Sequence, residues 1–208
     1  MIPSENQLAE QLGVSRMTIN RPFRELTEEG YLRRVHGLGT FVAEPPRHAH
    51  LVELVSIADE IKQAGGTHRA ELIEQTVEQI GAEMAERLNV QPQSQAFKVV
   101  MIHYHDGVPI QLEHRYVNPA ALPEFGQADF SSQTPADFLI NAIRPDELEH
   151  IVQAMMPDET IARQLDIPAT EPCLKLKRRT WKDGVVVTSV DLIYPSSRYD
   201  LGARYSPT

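Results

Sequence analysis

The chain has a single cysteine, Cys173, among 208 residues. An internal disulfide is therefore excluded, and without any CxxC spacing so is a cysteine-rich zinc site. Cys173 reads as a small apolar strand residue. Long hydrophobic runs are also missing. Nothing approaches the roughly 18 consecutive apolar residues of a membrane span, and the N-terminus lacks the basic-then-apolar order of a secretory leader. The expected setting is the cytoplasm, with no membrane partner. Excess positive charge is lacking too, because 20 Lys+Arg face 29 Asp+Glu for a net charge of −9. The deficit is uneven: residues 1–47 hold six arginines and six acidic residues, so residues 48–208, with 14 basic and 23 acidic, carry the whole of it. Only the first segment can sit comfortably on phosphate.

That first segment has a readable order. Ser4 with Gln7 three residues on is a capping-box pattern, predicting a helix over residues 5–12 that Gly13 ends. Ser15 can cap a second helix through Glu29, closed by Gly30, with Ile19, Phe23 and Leu26 on one apolar arc. Arg16, Asn20, Arg21 and Arg24 form the adjoining arc. YLRRV and GTFVA then read as strands joined at HGLG, whose glycines permit φ > 0. Helix, turn, helix and a two-stranded wing make a winged helix-turn-helix. One residue disagrees with the pattern. Pro22 removes the amide that would bond the Thr18 carbonyl and costs roughly 3 kcal/mol in a helix interior. A kink between Arg16 and Arg24 is expected, with the ring buried near the apolar arc.

Residues 45–50, rich in proline and polar side chains, are predicted as a linker between a domain over 1–44 and one over 51–208. The second domain contains an internal repeat. ERLNVQPQSQAFKVVMIHYHDGVP and RQLDIPATEPCLKLKRRTWKDGVV align without a gap at an offset of about 77 residues, placing Leu88 on Leu165 and Asp106-Gly107 on Asp183-Gly184. Each copy reads as a short helix, a strand, a D-G hairpin and a second strand. Two such units are predicted to form halves of one antiparallel sheet, with helices over 51–63 and 135–143 on one face. The fold class is α+β, and the natural ligand site is a cavity where the halves meet.

The helix arc supplies DNA-reading chemistry. Arg16 and Arg21 can reach guanine O6 and N7, Asn20 can address adenine, and Thr18 or Arg24 can hold phosphates. The wing tip, His36 to Thr40, suits the backbone or minor groove, since Gly37 and Gly39 allow close approach. The plainer reading of these arginines is a solvated helix face. His103 and His105 form an H-x-H pair, but no third ligand stands at useful spacing, so no metal is expected.

PSENQLAEQLGVSRMT followed by ELTEEGYLRRVHGLGTFV resembles the GntR-type winged helix. HDGVPIQLEHRYVNP, EPCLKLKRRTW and VDLIYPSSRYDLG resemble the effector domain of the HutC branch of that family. The resemblance covers nearly the whole chain. It implies a homodimeric repressor of histidine-utilisation genes that binds palindromic double-stranded operator DNA and is released by urocanate. It also implies a chorismate-lyase-like (UTRA) fold for the effector and dimerisation domain. Family members carry a further helix before the proline-serine-glutamate motif, so the resemblance implies a partial winged helix with its first helix missing.

Urocanate joins an imidazole to a carboxylate through a flat link, so its pocket needs cationic or amide donors at one end and an acceptor at the other. His68 and Arg69, on a GGTHR loop, are the expected carboxylate end. Glu113 is the candidate for the imidazole, with Arg115 as its partner or a second anion contact; a surface pair on a strand is the competing reading. His103 joins that face if the first hairpin has a three-residue loop with a bulge and faces away if the loop has two residues. The three-residue loop is the expectation. The same choice puts Arg178, Thr188 and Val190 on a common face, making Arg178 and Thr188 candidates. Tyr194 closes the pocket or fills the core. No cofactor and no catalytic pairing is expected. An enzyme of the chorismate-lyase kind, and an effector-binding module without useful DNA affinity, stay open as alternatives.

Overall fold

The computed structural model describes residues 2–28, 32–35, 39–42, 47–50 and 56–202, in two compact units that divide between Pro46 and Arg47.

In the N-terminal unit α1 spans Glu5–Leu12. Ser4 and Gln7 form the predicted reciprocal cap, and Gly13 ends the helix in the left-handed conformation at φ 66°. The second helix, α2, spans Arg16–Glu28. The Ser15 hydroxyl accepts from the Thr18 amide at 3.2 Å at its start. Strands β1 (Leu32–Val35) and β2 (Gly39–Val42) pair antiparallel as the wing, and the Ile2 amide donates to the Thr40 carbonyl at 2.9 Å. Among the described residues of this unit, Ala9, Phe23 and Leu32 are the buried apolar ones. Two expectations change here. Leu26 is exposed, so Phe23 carries the packing of the predicted arc. Pro22 is exposed as well, and α2 runs through it unbroken. The buried ring predicted from the arc is not found, because Pro22 lies one residue off the line through Ile19 and Phe23 and faces water.

The second unit begins earlier than predicted. Residues 47–50, expected in the linker, form strand β3 (Arg47–His50), which pairs parallel with the final strand β10 (Tyr199–Gly202). Between them run α3 (Ile57–Gln63), β4 (His68–Gln79), α4 (Ala82–Leu88), β5 (Gln95–His105) and β6 (Val108–Val117). The same order follows again as α5 (Pro135–Ile143), β7 (Glu147–Met155), α6 (Glu159–Leu165), β8 (Cys173–Lys182) and β9 (Val185–Pro195). The sheet order β4-β5-β6-β9-β8-β7 places the two copies side by side, related by a pseudo-twofold between β6 and β9. The repeat thus extends one helix and one strand upstream of the matching segments. Its details recur at the 77-residue offset. Asn89 and Asp166 end their helices in the left-handed region, and the ladders shift register between His103/Tyr104 and between Thr180/Trp181.

Both D-G loops have two residues, not three, with φ of 47° and 82° at Asp106 and Gly107 and 49° and 75° at Asp183 and Gly184. These are the two positive angles of a type I′ turn, whose twist matches the strands it joins. The bulge sits inside each ladder instead of at the loop. It restores the parity that a longer loop would have produced, so His103 and Glu113 do share a face.

Helices cover both faces of the sheet. Ile57 and Ile61 of α3 pack on Leu176, Val190 and Leu192, while Leu139 of α5 packs on Val99, Met101 and Val117. On the opposite face Leu88 of α4 meets Val186, and Ile161 and Leu165 of α6 meet Leu112 and Ile193. Helices of one half thereby sit on strands of the other, which ties the halves together. Each fully buried leucine contributes about 2–3 kcal/mol of burial.

Candidate functional sites

The DNA-reading candidates lie on and beside α2. Arg16 and Arg21 are 69% and 79% exposed, with Arg16 near Glu5 at 3.6 Å and Arg21 bonded to Glu25 at 2.8 Å. Asn20 is half-buried and donates to Glu5 at 3.1 Å, pinning α2 to α1. The Thr18 hydroxyl is bonded to that of Ser15 at 2.8 Å within the helix cap. Arg24 is exposed, as is Gly39, and Thr40 is half-buried on the wing strand. His36 and Gly37 lie outside the described residues.

In the effector unit the α3/α5 face of the sheet carries a buried polar chain. Along β6, Gln111, Glu113 and Arg115 alternate onto this face, and β5 brings His103 beside them. Arg115 Nε donates to Glu113 Oε1 at 2.5 Å, His103 Nε2 lies 3.1 Å from Glu113 Oε2, and His68 Nε2 lies 3.1 Å from His103 Nδ1. His103, Glu113 and Arg115 are each at most 2% exposed, which rules out a surface ion pair. Burial alone would raise the Glu113 carboxyl. The Arg115 guanidinium and the His103 bond outweigh it and hold the group down at about 2. An ionised carboxylate only accepts, so His103 Nε2 donates to it. One proton then lies between His103 and His68. Burial, with His103 beside it, lowers His68 to about 4, against the opposing pull of Asp137. The rings of His68 and His103 stack with centroids 5.4 Å apart.

Two hollows meet this chain. An outer recess of about 200 Å³ is bounded by Lys62, His68, Ser131, Thr134 and Asp137. An inner cavity of about 20 Å³ lies beneath α3 and α5, against Glu60, Gln111, Glu113, Arg115, Arg178 and Tyr194. It has room for about one water, since a single water needs roughly 10–15 Å³ on this measure. A third hollow of about 330 Å³ beside Phe97 and Phe125 offers the cation Lys98. That ammonium is already held by Glu74 and Glu78 at 3.0 and 3.4 Å.

The other candidates fall as follows. His68 and Arg69 are the first residues of strand β4 and not part of a loop. Successive strand side chains point to opposite faces. His68 turns in to His103, whereas the Arg69 guanidinium lies 3.6 Å over the Tyr104 ring and 3.4 Å from Glu71. Thr188 is buried, donating to the Tyr116 carbonyl at 2.9 Å and lying 3.4 Å from an Arg115 nitrogen. Arg178 is 5% exposed and donates through Nε to His150 Nε2 at 2.7 Å. Tyr194 lies in the core and reaches the edge of the inner cavity. Its ring stacks on Tyr199 at 4.4 Å in the core, and its phenol oxygen accepts from Gln111 at 2.6 Å beside the inner cavity. The His105 ring is turned against Gly66, where a Cβ would stand 1.9 Å from its Nε2. Among the described residues no three His, Cys, Asp or Glu side chains are grouped to hold a metal.

Gln111, Glu60 and His150 escaped the sequence reading. Gln111 was accessible through its i, i+2, i+4 alternation with Glu113 and Arg115. Glu60 and His150 reach the site only through helix packing and the β7–β8 pairing.

Residues 1–42 match the model for bacterial regulatory proteins of the gntR family, and residues 63–200 match that of the UTRA domain. The chain belongs to the GntR family, in its UTRA-bearing HutC branch. The regulator is 43% identical over 205 residues to the histidine utilization repressor of Pseudomonas aeruginosa, covering 99% of this chain and 82% of that protein. It is 42% identical over 206 residues to the one from Klebsiella aerogenes, covering 98% and 85%. The C-terminal domain of the histidine utilization repressor from Pseudomonas syringae pv. tomato superposes with a TM-score of 0.64 at 33% identity, covering 67% of the regulator and 99% of that domain. PhnF from Mycobacterium smegmatis shares the fold over 100% of the regulator and 92% of its own chain, with a TM-score of 0.74 at 23% identity. These relatives make the regulator a transcriptional repressor whose N-terminal unit binds DNA.

Proposed function

We propose that the regulator represses histidine-utilisation genes in the cytoplasm, binding a palindromic operator as a homodimer and releasing it when urocanate enters the effector unit. The observation that carries the ligand reading is the buried chain His68, His103, Glu113 and Arg115 beneath α3 and α5. It lines one face with a guanidinium, a carboxylate and two imidazoles, the donor and acceptor chemistry that a ligand with an imidazole at one end and a carboxylate at the other requires. A sugar phosphate is a poorer match, because β5 presents Met101 and His103 to this face where a phosphate would call for arginines.

The inner cavity is too small for urocanate without movement of α3 or α5, and that need is itself a means of control. The ligand shifts the equilibrium only through its preference for the opened conformation. Glu60 of α3 borders the cavity and accepts from the Tyr199 hydroxyl of β10. Strand β10 pairs with β3, which is continuous in the chain with the DNA-binding unit. A ligand that displaces α3 therefore loosens the strand pair nearest in sequence to the winged helix.

Calorimetric titration with urocanate, using histidine and a sugar phosphate as controls, tests the ligand. Saturable heat with urocanate alone is expected, together with urocanate-dependent release of labelled operator in an anisotropy assay. Absence of heat at several temperatures, or saturation by the sugar phosphate, sinks this reading.

A further inference from the structure

Four charged side chains border the inner cavity, and their pairing is unequal. Glu113 is matched by Arg115 at 2.5 Å, and Glu60 accepts from Tyr199. Arg178 remains. Only 5% exposed, it bonds through Nε to His150 Nε2 at 2.7 Å, and no carboxylate lies within 4 Å of it among the described residues. His150 accepts there through the lone pair of a neutral imidazole, which carries no negative charge. Glu113 and Glu60 support the Arg178 charge only from beyond contact distance, and a buried guanidinium whose fork meets no carboxylate is costly unless a further acceptor reaches it.

We infer that Arg178 is the anchor for the anionic end of the effector, a small planar carboxylate held by the guanidinium fork in the inner cavity. The assignment rests on the effector reading above and changes its geometry. The outer recess is the poorer anion site: Arg69 is occupied by Tyr104 and Glu71, and Lys62 is 68% exposed. From Arg178 on β8 to Glu113 on β6 the span is two strand spacings, roughly 10 Å between backbones. With both side chains reaching inward, that gap suits a ligand of urocanate's length lying across β9. Its ring then meets Glu113 and Gln111, and its carboxylate meets Arg178.

The internal repeat identifies the substitution to make. The equivalent of Arg178 in the first half, 77 residues earlier, is Met101, which is fully buried on the same face. Arg178→Met therefore places there a residue that this fold already accommodates, and Trp181 fluorescence checks that the sheet is intact. Arg178→Lys keeps the charge while losing the fork. Three measurements are needed: calorimetry with urocanate and with its neutral methyl ester, thermal shifts with formate and nitrate, and the same set on Arg69→Ala. Urocanate should bind Arg178→Met at least 30-fold more weakly than the parent and no better than the ester, with Arg178→Lys between. Formate and nitrate should raise the parent's melting temperature and leave that of Arg178→Met unchanged. Urocanate binding to Arg178→Met within threefold of the parent, or a loss confined to Arg69→Ala, overturns the assignment. If urocanate fails to bind the parent but formate and nitrate still stabilise it through Arg178, the histidine-utilisation reading falls while the anion site stands. No stabilisation of the parent by either ion overturns the site itself.

Discussion

Replacing Glu113 by glutamine tests the electrostatic core of the effector unit. The carboxylate is 1% exposed and accepts from both Arg115 and His103. Its pKa is about 2 in the folded protein against an ordinary 4.5, a gap worth about 3 kcal/mol at about 1.4 kcal/mol per tenfold. Because the folded value is the depressed one, this contribution is fully present above pH 4.5 and is lost as pH falls from 4.5 towards 2. Glutamine removes it and strands the Arg115 guanidinium, for which breaking a buried pair costs about 3–5 kcal/mol. With an m-value of about 2 kcal/mol/M in urea, the midpoint at pH 7 should drop by roughly 1.5–2.5 M. Trp181, the chain's single tryptophan, sits in β8 and reports this unit alone. Urea titrations followed by its fluorescence should show the parent losing stability steeply below pH 4.5, with the Glu113→Gln curve much flatter there. His68, depressed by a like gap but only half-buried and so partly screened by solvent, adds a further loss in both proteins as pH falls from 6.5 towards 4. A variant within about 1 kcal/mol of the parent at pH 7, or curves falling in parallel below pH 4.5, refutes the account.

Pro22→Ala should restore the amide bond to the Thr18 carbonyl and stabilise the N-terminal unit by up to about 3 kcal/mol. Circular dichroism during thermal melting would show it, and an unchanged or lower melting temperature would mean that α2 has adapted to the proline. Gly66→Ala drives a Cβ to 1.9 Å from His105 Nε2 and should cost about 1–3 kcal/mol. Adding His105→Ala should recover most of the loss, and a double variant as unstable as the single one would show that the ring is not the obstacle. Tyr199→Phe removes the hydroxyl bonded to Glu60 and should speed amide hydrogen exchange in β10 and β3. Exchange that stays at the parent rate in both strands would disconnect α3 from the β3–β10 pair.

How much was legible in the sequence differs by residue. The capping box at Ser4 and Gln7, the Gly13 stop and the D-G turns depend on residues a few positions apart. Local chemistry set them, and the structure has them at those positions, although each D-G loop holds two residues where three were expected. The 77-residue repeat was equally visible, because two copies of one unit must bury the same faces. Alternation along β6 put Glu113 and Arg115 on a common face, and the same spacing would have added Gln111. What alternation could not supply was which strand lies opposite, or where the ladder slips. The in-strand bulge between His103 and Tyr104 decides that His103 faces Glu113, and it depends on pairing across the whole hairpin. His68 came into the site because β4 begins there and pairs with the end of β5, and the same start turned Arg69 away. Arg178 acquired its partner through β7, a strand for which the sequence reading had no place. Pro22 faces water because burial depends on which side of α2 meets α1. Short-range periodicity thus determined the elements and the residues able to do chemistry. Strand pairing and helix packing, which join residues far apart in the chain, decided which of them share a cavity and which of their neighbours they meet there.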